Sequence, residues 1–290
     1  AMPRRARVIL LVGGEPPEET WQAAISVGAQ HVMRLPEQEA QLVEVLSDAS
    51  DSGQTARGST VAVISGRGGA GASTFSAALA IAAADTLLVD VDPWSGGLDL
   101  LLGLEGQAGL RWPDVSVQSG RVSLAAIRDA LPCHRGIGVL SGARQEADIT
   151  VGSVLAIVDA GRRGGVTVVC DLPRRLTEAA EAALDSADLV VLLAACDVRS
   201  CAAASAMTPT LSSINPNVGL VVRGPSPGGL RAADVARATG LPLLAAMRPE
   251  PNLDDRLERA GLRLRQRSPL LVAARRVLAI LGRHVMPEAA

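Results

Sequence analysis

The chain has 290 residues, 48% of them hydrophobic, so it can bury a sizeable core as one large domain or two. Its 28 basic and 30 acidic side chains leave a formal net charge of −2, which excludes attachment to polyanions by bulk charge. No apolar run reaches the ~18 residues that span a bilayer, and the start has no signal-peptide core. A cytoplasmic protein is expected, with Ala1-Met2 reading as a cloning remnant ahead of a truncated start.

RVILLVGG (7–14) predicts a buried strand, and 18–29 a helix with apolar spacing at Trp21, Ala24 and Val27. HVMRLP (31–36) predicts a second strand, and 37–49 a second helix with Leu42, Val45 and Leu46 on one face. Two parallel strands make a poor domain alone. DSGQTARGS (51–59) has the composition of a linker. Beyond it STVAVIS, TLLVDVD, VTVVCD, DLVVLLA, NVGLVV and LPLLAAM are short, almost wholly apolar runs, as in a parallel sheet covered on both faces. Helical patterns at 73–84, 122–131, 151–163, 175–186, 198–213 and 230–238 separate them. The alternation predicts a doubly wound α/β domain over 60–290. A one-sided apolar helix over 267–285 closes the chain.

Two compositional features bear on chemistry. There is no lysine, which biased codon usage in a GC-rich genome explains for surface positions. Cys133, Cys170, Cys196 and Cys201 form no CxxC pair and have no histidine cluster beside them, so buried reduced thiols are expected, not a metal or disulfide framework.

GRGGAGAS (66–73) fits the phosphate-loop pattern G-x-x-x-x-G-K-[ST] everywhere except at the lysine, where Ala72 stands. It sits between a strand and a helix start, where glycine N–H groups and the helix N-terminus face an anion. Gly66, Arg67, Gly68, Gly69, Ala70, Gly71, Ala72, Ser73 and Thr74 are therefore candidate nucleotide contacts, with the Ser73 hydroxyl a candidate magnesium ligand. A glycine-rich turn that binds nothing would not require this order and spacing. Each charge-assisted bond lost with the lysine is worth roughly 1.5–3 kcal/mol, so binding weakens perhaps 10- to 100-fold. Hydrolysis suffers more, because the lysine also offsets charge in the transition state. VTVVCD ends in Asp171, a Walker-B-like aspartate that holds magnesium through water.

Arg67, the following glycine pair and Gly71 resemble the deviant phosphate loop KGGxGK[ST] of the MinD/ParA superfamily. In that family the first lysine touches the partner's nucleotide across a dimer. The resemblance puts Arg67 in that role, where arginine keeps the charge and adds a planar fork. TLLVDVDPWSGGLDLLLGLE (86–105) resembles the family's D-x-D strand end and L-D-L-x-L-G loop. By resemblance Asp92 positions the attacking water and Asp90 lies near the magnesium shell. Asp99 has a simpler reading as a helix-start carboxylate favoured by the dipole. After NVGLVV the family places an adenine-reading asparagine; Arg223 stands there, a donor-only side chain able to stack on a base.

The whole chain resembles the CpaE/TadZ-like branch, which joins a receiver-like segment (here 1–50) to a MinD-like ATPase domain. GLEGQAGLRWPD (103–114) resembles its actinobacterial group, which includes septum-site-determining proteins. Leu35-Pro36 stands where a receiver domain carries lysine-proline, and the phosphoacceptor half is not in this sequence. The resemblance implies ATP or ADP with Mg2+, a homodimer, partners in division or pilus/secretion machinery, and recruitment to septum, pole or inner membrane face. Three readings stay open: a regulatory protein that binds nucleotide weakly and hydrolyses it poorly, a working ATPase using Arg67, and a nucleotide-independent dimeric scaffold. The basic C-terminal stretch offers charge for anionic lipid or DNA phosphate, but Asp254, Asp255 and Glu258 dilute it and a solvated face explains it better. The last helix is expected to pack on the sheet and not to anchor the protein in a membrane.

Overall fold

The computed structural model describes residues 8–27, 29–51, 57–83, 85–112, 114–115, 122–144, 148–225 and 228–285. The first unit is a parallel pair, β1 (Val8–Gly13) and β2 (Ala29–Leu35), with α1 (Glu18–Val27) between them and α2 (Glu39–Asp51) after them. Ala24 and Met33 are buried in it, whereas Trp21 and Leu46, expected on the inner faces, are about half exposed.

The second unit runs β3 (Thr60–Ser65), α3 (Ala72–Ala83), β4 (Thr86–Asp90), α4 (Leu98–Leu102), α5 (Leu124–Ala130), β5 (Cys133–His134), β6 (Ile137–Leu140) and α6 (Val151–Arg163). It continues through β7 (Thr167–Leu172), α7 (Glu178–Ser186), β8 (Leu189–Ala195), α8 (Val198–Ile214), β9 (Val218–Arg223) and α9 (Ala232–Thr239). β10 (Leu243–Met247), α10 (Leu253–Ala260) and α11 (Pro269–Val285) complete it. Its sheet has eight strands in the order β10-β9-β8-β3-β7-β4-β6-β5, parallel except for the short β5–β6 pair. Each of the six predicted apolar runs is a strand of this sheet. The chain leaves β3 towards β4, returns to β7 and then crosses to β8, so strand order reverses around β3. Ligands of such sheets bind beyond the carboxyl ends of the strands at that reversal.

The period of two decides which side chains meet which helices. On one face Ala62, Ile64, Leu87, Val89, Val168, Cys170, Val190, Leu192, Leu220 and Val222 pack under α5 to α9. On the other Val61, Val63, Leu88, Val169, Val191, Leu193 and Val221 pack under α3, α4 and α11, with Phe75, Leu79, Ala274 and Val277 fully buried. Burying such branched side chains contributes about 1.5–3 kcal/mol each. The same alternation carries Asp90, Asp171 and Arg223, one step beyond Val89, Cys170 and Val222, to the α3 face.

Some details differ from the sequence reading. β5, β6 and α10 were not anticipated: two are strands of two and four residues, and the helix carries five charged residues in eight. α11 packs on α3 and β10, as expected, burying Leu270, Ala274, Val277 and Leu281. Cys170 and Cys196 are buried, but Cys133 is exposed and Cys201 only half-buried, so burial does not hold for all four. Among the described residues no helix is long and apolar enough to cross a membrane.

Candidate nucleotide site at the carboxyl edge of the sheet

The stretch 66–73 forms a tight loop from the end of β3 into α3, whose first residue is Ala72. Gly66 donates its N–H to the Leu193 carbonyl at 2.9 Å and lies so close to α8 that a Cβ would stand 3.1 Å from that of Ala204. Gly69 and Gly71 have φ of +77° and +101°, a region that L side chains rarely adopt, so glycine is required at both. Ala70 is buried and donates its N–H to the Arg67 carbonyl at 3.2 Å, and the Ser65 hydroxyl also bonds that carbonyl. Phe75 donates to the Gly71 carbonyl at 2.9 Å, closing the first turn of α3. By helix geometry the N–H groups of the first turn, from Ala72 onward, have no carbonyl one turn back and point out of the helix end. Gly68 and Ser73 are exposed, and Thr74 is half-buried beside them. The backbone cradle of a phosphate loop is therefore complete, while Ala72 brings no charge and is 9% exposed.

Two carboxylates lie below this cradle. Asp171 and Asp90 are registered neighbours across β7 and β4, and both face α3. The Ser76 hydroxyl, one turn into α3, donates to Asp171 at 2.8 Å, and the Ser73 hydroxyl lies near enough to pull its pKa down. Asp90 accepts the Asp92 N–H at 3.2 Å and the Ser95 hydroxyl. Burial pushes the Asp90 carboxyl up to about 8, with Asp171 beside it adding to the rise. Burial also lifts Asp171 to about 6, against the opposing pull of the Ser73 and Ser76 hydroxyls. Two buried acids without a cation are a poor structural device, but a divalent ion at this place would favour their ionised forms. Ser73, Asp90 and Asp171 thus lie together below the loop. Among the described residues no group of three histidine, cysteine or acidic side chains is arranged to hold a metal by itself. The donor set instead suits an ion shared with phosphate oxygens, as Mg2+ is usually held.

Asp92 is half-buried just past the end of β4 and accepts the Trp94 N–H at 2.9 Å, fixing the start of the loop. Trp94 itself is 82% exposed. Asp99 corrects the helix-dipole reading: α4 is only five residues long, and this carboxylate is a buried hub. It accepts Arg111 Nε at 2.9 Å, Arg144 Nη2 at 3.1 Å, Ser141 Oγ at 3.2 Å and the Leu100 N–H at 2.8 Å. Burial opposes its ionisation, but the Arg111 hydrogen bond, the Leu100 N–H and Arg144 outweigh that and hold it below the ordinary range. Next to Arg111, the buried Trp112 donates its indole N–H to the Asp90 carbonyl at 2.7 Å. Arg111 and Trp112 thereby hold both ends of the loop from Asp90 to Asp99. Arg111 and Trp112 stood in the GLRWPD motif without a role, and Ser141 and Arg144 had no sequence signal, because their partners lie far along the chain.

Arg67 and Arg223 flank the loop from two directions. Arg67 Nη1 lies 3.8 Å from the carboxylate of Asp197, the N-cap of α8. Hydrogen bonds from the Ser200 N–H and hydroxyl, with Arg67 nearby, keep the Asp197 carboxyl below its ordinary range. Arg223, at the end of β9, reaches across and donates Nη2 to the Gly69 carbonyl at 3.0 Å. It lines a cavity of about 220 Å3 beside the loop together with Gly69, Gly71, Thr74 and Arg248.

The fold and this loop define an α/β protein of the phosphate-loop type. A family model described as Rv3660c-like, CheY-like N-terminal domain matches residues 1–58. The chain is 62% identical over 291 residues to the Mycobacterium tuberculosis (strain H37Rv) protein Rv3660c, an alignment covering 98% of this chain and 83% of that one. It is 27% identical over 205 residues to the putative septum site-determining protein MinD of Nephroselmis olivacea, covering 67% of this chain and 75% of that one. Among solved structures, the MinC:MinD cell division protein complex of Aquifex aeolicus aligns with TM-score 0.62 and 20% identity, over 80% of this chain and 98% of the other. A ParA family ATPase of Chlorobium tepidum aligns with TM-score 0.60 and 14% identity, over 79% and 96%. MinD of Pyrococcus horikoshii in complex with Mg-ADP aligns with TM-score 0.57 and 17% identity, over 76% and 93%. The chain belongs to the Rv3660c-like family, with a CheY-like N-terminal domain, and its second unit has the fold of the MinD and ParA proteins.

Proposed function

We propose that this protein is a nucleotide-linked positioning regulator. Its role is septum-site selection in cell division or placement of a polar pilus or secretion assembly. Residues 1–50 form the receiver-like part, 51–59 a linker and 60–290 the ATPase-type domain. Its ATP site is degenerate, binding Mg-nucleotide weakly and hydrolysing it poorly, at most as a weak ATPase. Gly66 to Thr74 and Arg223 contact the nucleotide, Ser73, Asp90 and Asp171 the magnesium shell. Asp92 orients the attacking water, and Arg67 reaches the nucleotide of a second copy. The observation that carries the reading is a glycine cradle at the start of α3, above the Asp90–Asp171 pair, with Ala72 at the lysine position. Losing charge while keeping the cradle lowers transition-state stabilisation more than ground-state binding. The division role is supported by the septum-site and cell-division names of the MinD relatives and neighbours. The protein acts as a homodimer, recruited from the cytoplasm to its site by division or pilus/secretion proteins; peripheral contact with the membrane belongs to this picture, and DNA binding is its lesser alternative.

The test is the association state of the purified chain, by sedimentation, with and without millimolar Mg-ATP. Mg-ATP is expected to raise the dimer fraction, and Gly71→Val, which forces a β-branched side chain to φ +101°, is expected to abolish that response. A dimer fraction that ignores both nucleotide and Gly71→Val would replace this reading with a nucleotide-independent scaffold.

A further inference from the structure

We propose that Arg223 supplies, from within the same chain, the phosphate-facing positive charge that Ala72 lacks. The inference rests on the nucleotide reading above and assigns that site its cation. Strand alternation puts Arg223 on the α3 face at the carboxyl end of β9, two strands away from β3. From there its guanidinium covers the loop: Nη2 bonds the Gly69 carbonyl at 3.0 Å, and Nη1 is 3.8 Å from where a Cβ on Gly71 would stand. A guanidinium has five N–H donors, and the bond to Gly69 does not exhaust them. Among the described residues Arg223 has no carboxylate in ion-pair contact. Arg67, by contrast, lies against Asp197 on the α8 side.

The surroundings suit an anion that extends from the cradle. The cavity beside the loop carries Thr74, the half-buried Arg223 and an exposed arginine, Arg248. Glu250 and Asp254 also line it, but Glu250 is engaged by Arg256 at 2.9 Å and by the Ser268 hydroxyl. A phosphate chain lying on the α3 N-terminus and turning towards this cavity passes under Arg223. The side chain thus has two tasks, tying down the Gly69 peptide and neutralising phosphate.

The experiment is calorimetric titration of the whole chain with Mg-ADP and with inorganic pyrophosphate at low and high salt, using the native protein, Arg223→Gln and Arg223→Lys. Glutamine keeps an amide donor for the Gly69 carbonyl and removes the charge; unliganded melting temperatures report any folding defect. Arg223→Gln is expected to weaken both ligands about 10- to 100-fold and to flatten the salt dependence, since one charge-assisted contact is lost. Arg223→Lys is expected to keep most of the affinity. The inference is overturned if Arg223→Gln binds like the native chain, or if Arg223→Lys loses as much as Arg223→Gln. Absence of binding to the native chain at millimolar ligand overturns the nucleotide reading itself. Native binding with an indifferent Arg223→Gln overturns the role of Arg223 alone.

Discussion

Asp90 and Asp99 are both fully buried, nine positions apart on one loop system, and their electrostatics are opposite. Asp99 is ringed by Arg111, Arg144, Ser141 and a backbone N–H, and its carboxyl is held low. Asp90 has a hydroxyl, a backbone N–H and another acid for neighbours, and its carboxyl is pushed up to about 8. A carboxylate neutralised by its own chain is architecture. One left without a cation carries a standing electrostatic cost, which a protein retains where an external ion or ligand is to be received. GLRWPD serves both, since Arg111 clamps Asp99 while Trp112 holds the Asp90 carbonyl.

The largest way to test this contrast is at Asp99. Asp99→Ala leaves Arg111, itself 9% exposed, as a buried charge without its acid, and is expected to cost about 3–5 kcal/mol in urea unfolding. A loss below 1 kcal/mol would erase the difference between the two sites.

The second way is pH. Because the folded pKa of Asp90 and Asp171 is raised, their neutral forms stabilise the fold at pH 4, and that contribution is lost as pH rises through about 6 for Asp171 and about 8 for Asp90. In magnesium-free buffer the melting temperature is expected to fall across this window, each pKa unit being worth ~1.4 kcal/mol. Asp90→Asn removes the part between about pH 6 and 8, and millimolar Mg2+ reduces the decline in the native chain. Melting curves that are flat with pH, with and without Mg2+, would show that Asp90 is not held neutral.

Smaller in energy is the gain from Ala72→Lys, which restores the charge at the start of α3. It is expected to tighten Mg-ATP about 10- to 100-fold in the same titration, and to raise turnover by more. The smallest effect is expected for Arg67→Ala on unfolding: its contact with Asp197 is solvent-exposed, with side chains 41% and 38% accessible, and contributes under about 1 kcal/mol.

Much of this arrangement was legible along the chain. Strand runs such as TVAVIS and LVVLLAA are almost wholly apolar because both sheet faces are covered, so neither length nor pattern misleads. GRGGAGAS was legible because its geometry is local: the φ values at Gly69 and Gly71 are written in the residues themselves. What escaped was long-range. Nothing in the spacing pairs Ser76 with Asp171, 95 positions on, or Arg223 with Gly69, 154 positions back. Asp99 was misread because its neighbours suggest a helix start, whereas its arginines arrive from 12 and 45 positions away. β5 and β6 were missed because a four-residue IGVL becomes a strand only when β4 offers an edge.

The most direct measurement of the central claim is calorimetric titration of the native chain with ATP and ADP, in Mg2+, up to millimolar ligand. The account expects weak, saturable binding that Gly71→Val removes. Absence of heat at millimolar nucleotide, with the fold intact by circular dichroism, would contradict it and make the loop a relic of a phosphate site.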